Sequence, residues 1–441
     1  MKLKQPSSNN PQSQRSLSNR LAVIFANTQE LLTKRLYKDT IFLVINTLVM
    51  TLSGFIFWLV VARINTPEDV GISSTILSSI LLIGLLSMAG LNYSMVRFLP
   101  NSKDPVSLIN SCAMLTLGGC LLLSGIFLAV LKLWSPDLVF LQENVLALTC
   151  FALISLFWTL TSISEYIFIA RQRSEYVLYK NSIYAVLRIC FPFVAALFIM
   201  GAYGIVGAWG LAVFISLAVA LVFFLPKVQS FYRPRASINA GLIKELVPYA
   251  FGSYSISLFS SGPRLLLPLI VLNVSGASEN AYFFIAWSLA ELTFSIPVAT
   301  SLSLFSTGSN SQDTLHKDIG RSLKITLWFI VPDALIFILA GHWILLIFGQ
   351  TYATHSLLLL QILAFSSIPT AVNYIYSAVL RIKNKLRELS IIRGLIAVVT
   401  LVAAYYLVPI YGIVAIGVVW AGIQTMLAVY SIVRLRVSTN S

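Results

Sequence analysis

The sequence predicts an all-α membrane protein with about twelve spanning helices, arranged as two six-helix bundles around a central cavity. Three observations carry this. First, 58% of the 441 residues are hydrophobic and only 10% are charged, against about 25% charged in soluble domains. Second, apolar segments of about 20 residues, the length that crosses a bilayer as a helix, follow one another along the chain. Third, lysine and arginine fall almost wholly in every second gap between those segments, as in a chain that threads a membrane in one orientation.

Residues 1–20 are polar and lack the apolar core of a signal peptide, which predicts an unstructured arm. Residues 21–37 suit a short interfacial helix with Lys34 and Arg35 at its basic end, so 1–39 reads as one polar, membrane-flanking region. Span 1 (41–62) carries Asn46 and closes at Arg63, and span 2 (71–96) carries Asn92 and closes at Arg97. Spans 3 (108–131), 4 (145–169) and 5 (178–200) hold Cys112, Cys120, Cys150 and Cys190. These form no CxxC and read as buried thiols, without disulfide or metal roles. Span 6 (204–225) completes a first lobe, 40–225. A basic linker, 226–246, contains Pro226 and Pro234. Spans 7 (247–273), 8 (281–304), 9 (323–341), 10 (356–380), 11 (389–408) and 12 (412–433) build a second lobe, 247–433, before a tail at 434–441.

Of the 30 lysines and arginines, 26 lie on the side of both chain ends, and two, Arg63 and Lys132, lie on the other. The bias places both termini in the cytoplasm of a multi-pass protein of the cell membrane. The net charge of +14 is then a topology signal and an attraction for anionic lipid, and no nucleic-acid partner is implied. The outer loops are all short, which argues against a polymerase or ligase that works through a large external domain.

An internal echo supports two halves. The turn 63–71 (RINTPEDVG) recurs in character at 273–281 (NVSGASENA), each with an acid, Asp69 or Glu279, two residues before a small residue. Six spans per half return the chain to the same side, so the repeat is parallel, and two such bundles suit alternating access around a midplane site. Span 7 is the most irregular, with Gly262-Pro263 at its centre and Pro268 beyond. Proline breaks the helical ladder, and the neighbouring serines can satisfy freed carbonyls. The segment reads either as a hinge or as a static packing kink.

The stretches GFIFWLVVARINTPEDVGISSTI, GLNYSMVRFLP and ILLIFGQTYATHSLLLLQILAFSSIPTAVNYIYSAVLRIKNK carry an AR…PEDxG turn and an LFGxxY-like turn before a long apolar span. In these the chain resembles the polysaccharide transporter (Wzx-like oligosaccharide flippase) branch of the multidrug/oligosaccharidyl-lipid/polysaccharide exporter superfamily, over about residues 40–433. The resemblance implies a twelve-helix, two-lobed fold that moves a lipid-linked oligosaccharide across the membrane for surface polysaccharide synthesis. It implies no cofactor, and partners limited to the lipid-linked glycan, membrane lipids and the polymerase and glycosyltransferases of the same route, with the protein a monomer. It transfers no substrate-contacting residue.

Ionisable groups in hydrocarbon cost about 2.5–3.5 kcal/mol and so face a cavity or a partner. Two arginines, Arg188 in span 5 and Arg264 in span 7, are unexplained by topology. A permanently charged guanidinium grips phosphate oxygens in pairs, so these two are the candidate substrate-binding residues, one from each lobe. The alternative is a pair of structural bridges, Arg264 to Glu291 and Arg188 to Glu165. Glu291 in span 8 and Asp333 in span 9 are candidates for ion coupling. Tyr254, Trp287, Tyr374 and Tyr376 are candidates for sugar contact, against the simpler roles of core or interface belt. A cation-exporting multidrug transporter would carry acids in its cavity, and the arginines speak against it. An enzyme would need paired carboxylates or a metal-binding cluster; no DxD, HExxH, GxSxG or P-loop pattern occurs, so no catalytic or metal-binding residue is assigned.

Overall fold

The computed structural model describes residues 35–198, 201–229, 232, 234–310 and 315–440. The polar arm and most of the expected interfacial helix lie outside them. Among the described residues, twelve helices are long and apolar enough to cross a membrane. They are α1 (Arg35–Ile64), α2 (Pro67–Met88), α3 (Pro105–Trp134), α4 (Val145–Ala170), α5 (Ser174–Phe198) and α6 (Ala202–Val219), then α7 (Ala240–Ser275), α8 (Ala277–Asn310), α9 (Leu315–Leu346), α10 (Leu357–Ile382), α11 (Leu386–Tyr411) and α12 (Val414–Asn440).

The pairing of helices is the same in both halves. In the first lobe α1 packs on α5, α2 on α3 and α4, α4 on α3 and α6, and α5 on α6. In the second, α7 packs on α11, α8 on α9 and α10, α10 on α9 and α12, and α11 on α12. A chain whose helix n + 6 repeats the neighbours of helix n is a parallel structural repeat. The lobes meet where α2 lies against α7 and α8.

Local chemistry sets the helix ends. Thr66 caps α2 by accepting from Asp69 N at 3.2 Å, and Pro67 occupies the first turn, where its missing donor costs nothing. Asp69 then accepts from Ala202 N at 3.1 Å, which ties the start of α6 to the start of α2. The PED of the turn is therefore a cap and an inter-helix tie. Span 2 does not run straight. It breaks at Ala89 (φ 43) and Gly90 (φ 83) and resumes as the short helix Leu91–Phe98. A side chain at Gly90 would meet Ala250 O of α7 at 2.2 Å. By contrast, α7 is one continuous helix through Gly262, Pro263 and Pro268.

Two expectations change here. Cys112 and Cys120 are buried, but Cys150 and Cys190 are exposed on the outside of the bundle. In a span that is apolar on every side, hydrophobicity does not mark the inward face. Lys180, at the edge of span 5 and counted above as one of the 26 basic residues on the side of the chain ends, lies inside α5 and is fully buried.

Candidate functional site

A cavity of about 440 Å³ lies between the lobes. From the first lobe it takes Thr51, Gly54 and Trp58 of α1, Ser74 and Ser78 of α2, Trp158 of α4, Tyr184 and Arg188 of α5, and Trp209 of α6. From the second it takes Arg264 and Pro268 of α7, and Phe284, Trp287, Ser288, Glu291 and Ser295 of α8. The structure thus brings Arg188, Arg264, Glu291, Trp287 and Pro268 to one cavity. Gly262, Pro263 and Asp333 are not among its lining residues.

The two arginines are held differently. Arg188 is 7% exposed. Its Nη2 donates to Met50 O and Ser53 Oγ across the α1–α5 contact, and its guanidinium lies 4.9 Å from the Tyr184 ring centre. Gly54 makes room for it: a Cβ there would stand 3.3 Å from Nη2. Among the described residues no carboxylate lies within 4.0 Å of Arg188, and its Nε is buried without a partner. The bridge to Glu165 raised above is not formed, because Glu165 accepts from Lys180 at 2.6 Å instead.

Arg264 is half exposed, and its Nη1 stands 3.3 Å from Glu291 Oε2. Glu291 also accepts from Trp287 Nε1 at 3.2 Å. An ion pair this open contributes roughly 0–1 kcal/mol, so an incoming anion can displace the carboxylate at little cost. The cavity therefore presents one guanidinium locked to the wall and one on an exchangeable partner.

Aromatic surface surrounds these charges. Trp58 meets Phe284 edge-on at 4.6 Å across the lobes, Trp158 lies 5.3 Å from Trp209, and Trp287 lies 5.2 Å from Trp420. Rings with a polar N–H and a broad apolar face suit sugar rings as well as lipid. Trp58, Trp158 and Trp209 were not singled out in the sequence, where a tryptophan in a span reads equally as core or belt. The other tyrosines serve elsewhere. Tyr254 donates to Leu86 O at 3.5 Å, Tyr374 lies under Arg393, and Tyr376 donates to Glu388 at 2.6 Å. Asn46 accepts from Asn181 at 2.9 Å. Asp333 has one buried oxygen without a hydrogen-bond partner, as has Thr293 of α8, whose side chain is close to it.

On the face away from the chain ends the cavity is sealed. A Cβ on Gly71 would stand 1.8 Å from Ala277 O, so α2 and α8 touch backbone to backbone. Asn280, wholly buried, donates to Gly71 O at 2.8 Å and is within 3.1 Å of Ser74 Oγ and 2.8 Å of Thr75 Oγ1. Arg63 donates to the carbonyls of Leu346 and Ile347, capping the end of α9 from the opposite lobe. The LFGxxY-like turn lies beside this seal: Tyr352, 1% exposed, packs edge-on against Tyr282 at 5.5 Å.

Among the described residues no group of three His, Cys, Asp or Glu side chains converges as a metal site. A family profile described as polysaccharide biosynthesis protein matches residues 36–308. Among solved structures, the chain is similar to the lipid II flippase MurJ in an inward closed conformation. The TM-score is 0.73 at 12% identity, over 90% of this chain and 87% of that one. It is also similar to an inward-facing multidrug resistance MATE family transporter of the MOP superfamily, with TM-score 0.68 and 14% identity over 91% of this chain and 98% of that one. A MOP superfamily transporter from Pyrococcus furiosus, described as having a binding pocket of reverse polarity, gives TM-score 0.60 and 14% identity over 92% and 95%. No curated protein sequence matches significantly. At these identities the likeness to the solved structures is one of fold.

Proposed function

This chain belongs to the polysaccharide biosynthesis protein family, and from that premise we propose that it is a flippase for a lipid-linked oligosaccharide, working by alternating access. The observation that carries the reading is the cavity charge: two guanidiniums, one from each lobe, against a single carboxylate. A polyprenyl pyrophosphate headgroup must cross hydrocarbon with several negative charges, and paired N–H donors meet that need. Arg188 supplies a preorganised donor set. Arg264 leaves Glu291 to complete it. The tryptophans offer faces for the glycan. The basic face, which carries both chain ends, is the cytoplasmic one, since cytoplasmic loops hold the excess of lysine and arginine.

Glu291 has two roles in this reading. It neutralises Arg264 when the cavity is empty, and on return it displaces the anion. It is better placed than Asp333 for coupling to a proton or cation, because it lines the cavity and Asp333 does not.

The test is transport in proteoliposomes of a fluorescent short-chain polyprenyl pyrophosphate glycan. Arg264→Ala and Arg188→Ala should each slow flipping by about tenfold or more, the scale of losing charge-assisted hydrogen bonds. Glu291→Gln should bind the probe more tightly yet turn over more slowly, because the competing carboxylate is gone. Normal flipping by Arg264→Ala at normal protein level would refute the assignment. Efflux of a cationic dye that Glu291→Gln abolishes, with no glycan transport by the native protein, would favour a multidrug exporter.

A further inference from the structure

We propose that the basic end of the second lobe carries a second anion site, built by Arg381 and Arg393, for a phosphate-type oxyanion. Tyr374, Ser377 and Arg381 follow one another at i, i+3 and i+7 and so share one face of α10. Arg393 of α11 packs onto that face. Its guanidinium lies 5.0 Å from the Tyr374 ring centre, and its Nη2 donates to Ser377 Oγ at 3.2 Å.

Arg381 is exposed and stands within electrostatic reach of Arg393 and of Tyr93, which belongs to the opposite lobe. Arg381 is thus on the side of α10 nearer the opposite lobe, and Arg393 packs beside it on the face of Tyr374 and Ser377. Like charges placed together repel, and a membrane-facing fold tolerates this where a counter-ion can enter. No acid among the described residues takes that part. Among the described residues no carboxylate lies within 4.0 Å of either arginine. Glu388, one turn and a half before Arg393 on α11, is occupied by the hydroxyls of Tyr376 at 2.6 Å and Tyr430 at 3.3 Å. On the opposite lobe Tyr93 lies 6.3 Å from Tyr166, and the neighbouring Glu165 is committed to Lys180 at 2.6 Å.

Depth separates Arg393 from an ordinary topology signal, whereas Arg381 sits in the last turn of α10. Arg393 lies seven residues inside α11, about 10 Å from its start at 1.5 Å per residue. Lys383, Lys385 and Arg387 already mark the loop. A guanidinium has five donors, and Ser377 uses one of Arg393's, so forked pairs remain for phosphate oxygens. Two sources share that chemistry: the pyrophosphate of the cargo, which would dock here before reaching Arg188 and Arg264, and the headgroup of an anionic phospholipid. The cargo source rests on the flippase reading; the site itself does not.

The experiment measures binding of farnesyl pyrophosphate to the full-length protein in nanodiscs, first of phosphatidylcholine alone and then with phosphatidylglycerol. Arg381→Gln/Arg393→Gln should lose one class of binding site, weakening it about tenfold or more. Arg264→Ala should lose a different class. Competition by phosphatidylglycerol at the Arg381/Arg393 class assigns the site to lipid, and its absence assigns it to cargo. If the glutamine variant does not stay folded, R381K/R393K decides, because lysine keeps the charge and loses the fork; it should bind more weakly. Native-like binding by the folded variant in both lipid mixtures overturns the proposal. Loss of the Arg381/Arg393 class with binding by Arg264→Ala unaffected would instead remove the cavity assignment and leave this site standing.

Discussion

Gly71→Leu should abolish most transport and leave the cavity open to the face away from the chain ends. At this position α2 and α8 touch through their backbones, and an added Cβ would stand 1.8 Å from Ala277 O and 2.6 Å from its carbonyl carbon. No rotamer relieves a contact between Cβ and backbone, so the helices must separate. That separation also strips the Asn280 side chain from Gly71 O, Ser74 and Thr75. The penalty lies at or above the 1–3 kcal/mol typical of overpacking, which depopulates the sealed state by about 5–150-fold. The alternating access proposed above needs that state, so turnover should fall by a similar factor. The check is a cysteine at cavity-lining Ser78, labelled by a membrane-impermeant thiol reagent from the face away from the chain ends; labelling should rise in the Gly71→Leu background. Gly125→Leu is the control, since a Cβ there meets nothing within 4 Å. Unchanged labelling and unchanged transport would mean that this contact is not the outer seal.

The second large effect concerns stability. Lys180 of α5 is wholly buried, and its one ion-pair partner among the described residues is Glu165 of α4 at 2.6 Å. Glu165→Gln leaves an ammonium in the lobe interior with no counter-charge, and should cost about 3–5 kcal/mol. Lys180→Met should cost less, because Glu165 keeps 28% of its side chain exposed and can draw water. Lys180→Met/Glu165→Leu should recover most of the loss, since apolar replacement of a buried pair is often neutral or better. Unfolding in detergent micelles, read as a double-mutant cycle, measures all three. An unshifted unfolding curve for Glu165→Gln would show that the pair contributes nothing to the fold.

These two sites differ in how legible they were. The turn holding Gly71 stands out in the sequence as AR…PEDxG. The structure shows its threonine as a helix cap, and nothing along the chain says that the glycine is there for the backbone of Ala277. The Lys180–Glu165 pair was hidden by its position: Lys180 falls at the edge of its span, and the topology count absorbed it as a loop charge. Glu165 was then matched with the wrong cation, Arg188, because sequence spacing does not say which faces of α4 and α5 meet. Arg188 and Arg264 were visible for the opposite reason. They sit deep in spans where the charge rule allows no lysine or arginine. The break at Ala89–Gly90 went unseen while the prolines of α7 drew the eye, yet α7 runs on as a helix. Neighbouring helices and nearby serines re-satisfy the carbonyls that proline frees.

By itself the sequence determined membrane residence, the twelve crossings, the two repeated halves and the concentration of basic residues on one side. Each follows from the transfer free energy of a segment or the charge of a loop, and both belong to the segment alone. Only the tertiary structure decided that Arg188 is locked to α1 while Arg264 rests on Glu291, that Cys150 and Cys190 are exposed, and that Arg393 packs on Tyr374 and Ser377 of α10. Those outcomes depend on the rotation of each helix about its axis and on the register between lobes. In lipid, hydrophobicity cannot set either one, because every face of a span is apolar; close approach at small residues such as Gly54 and Gly71 and the pairing of a few polar side chains set them instead.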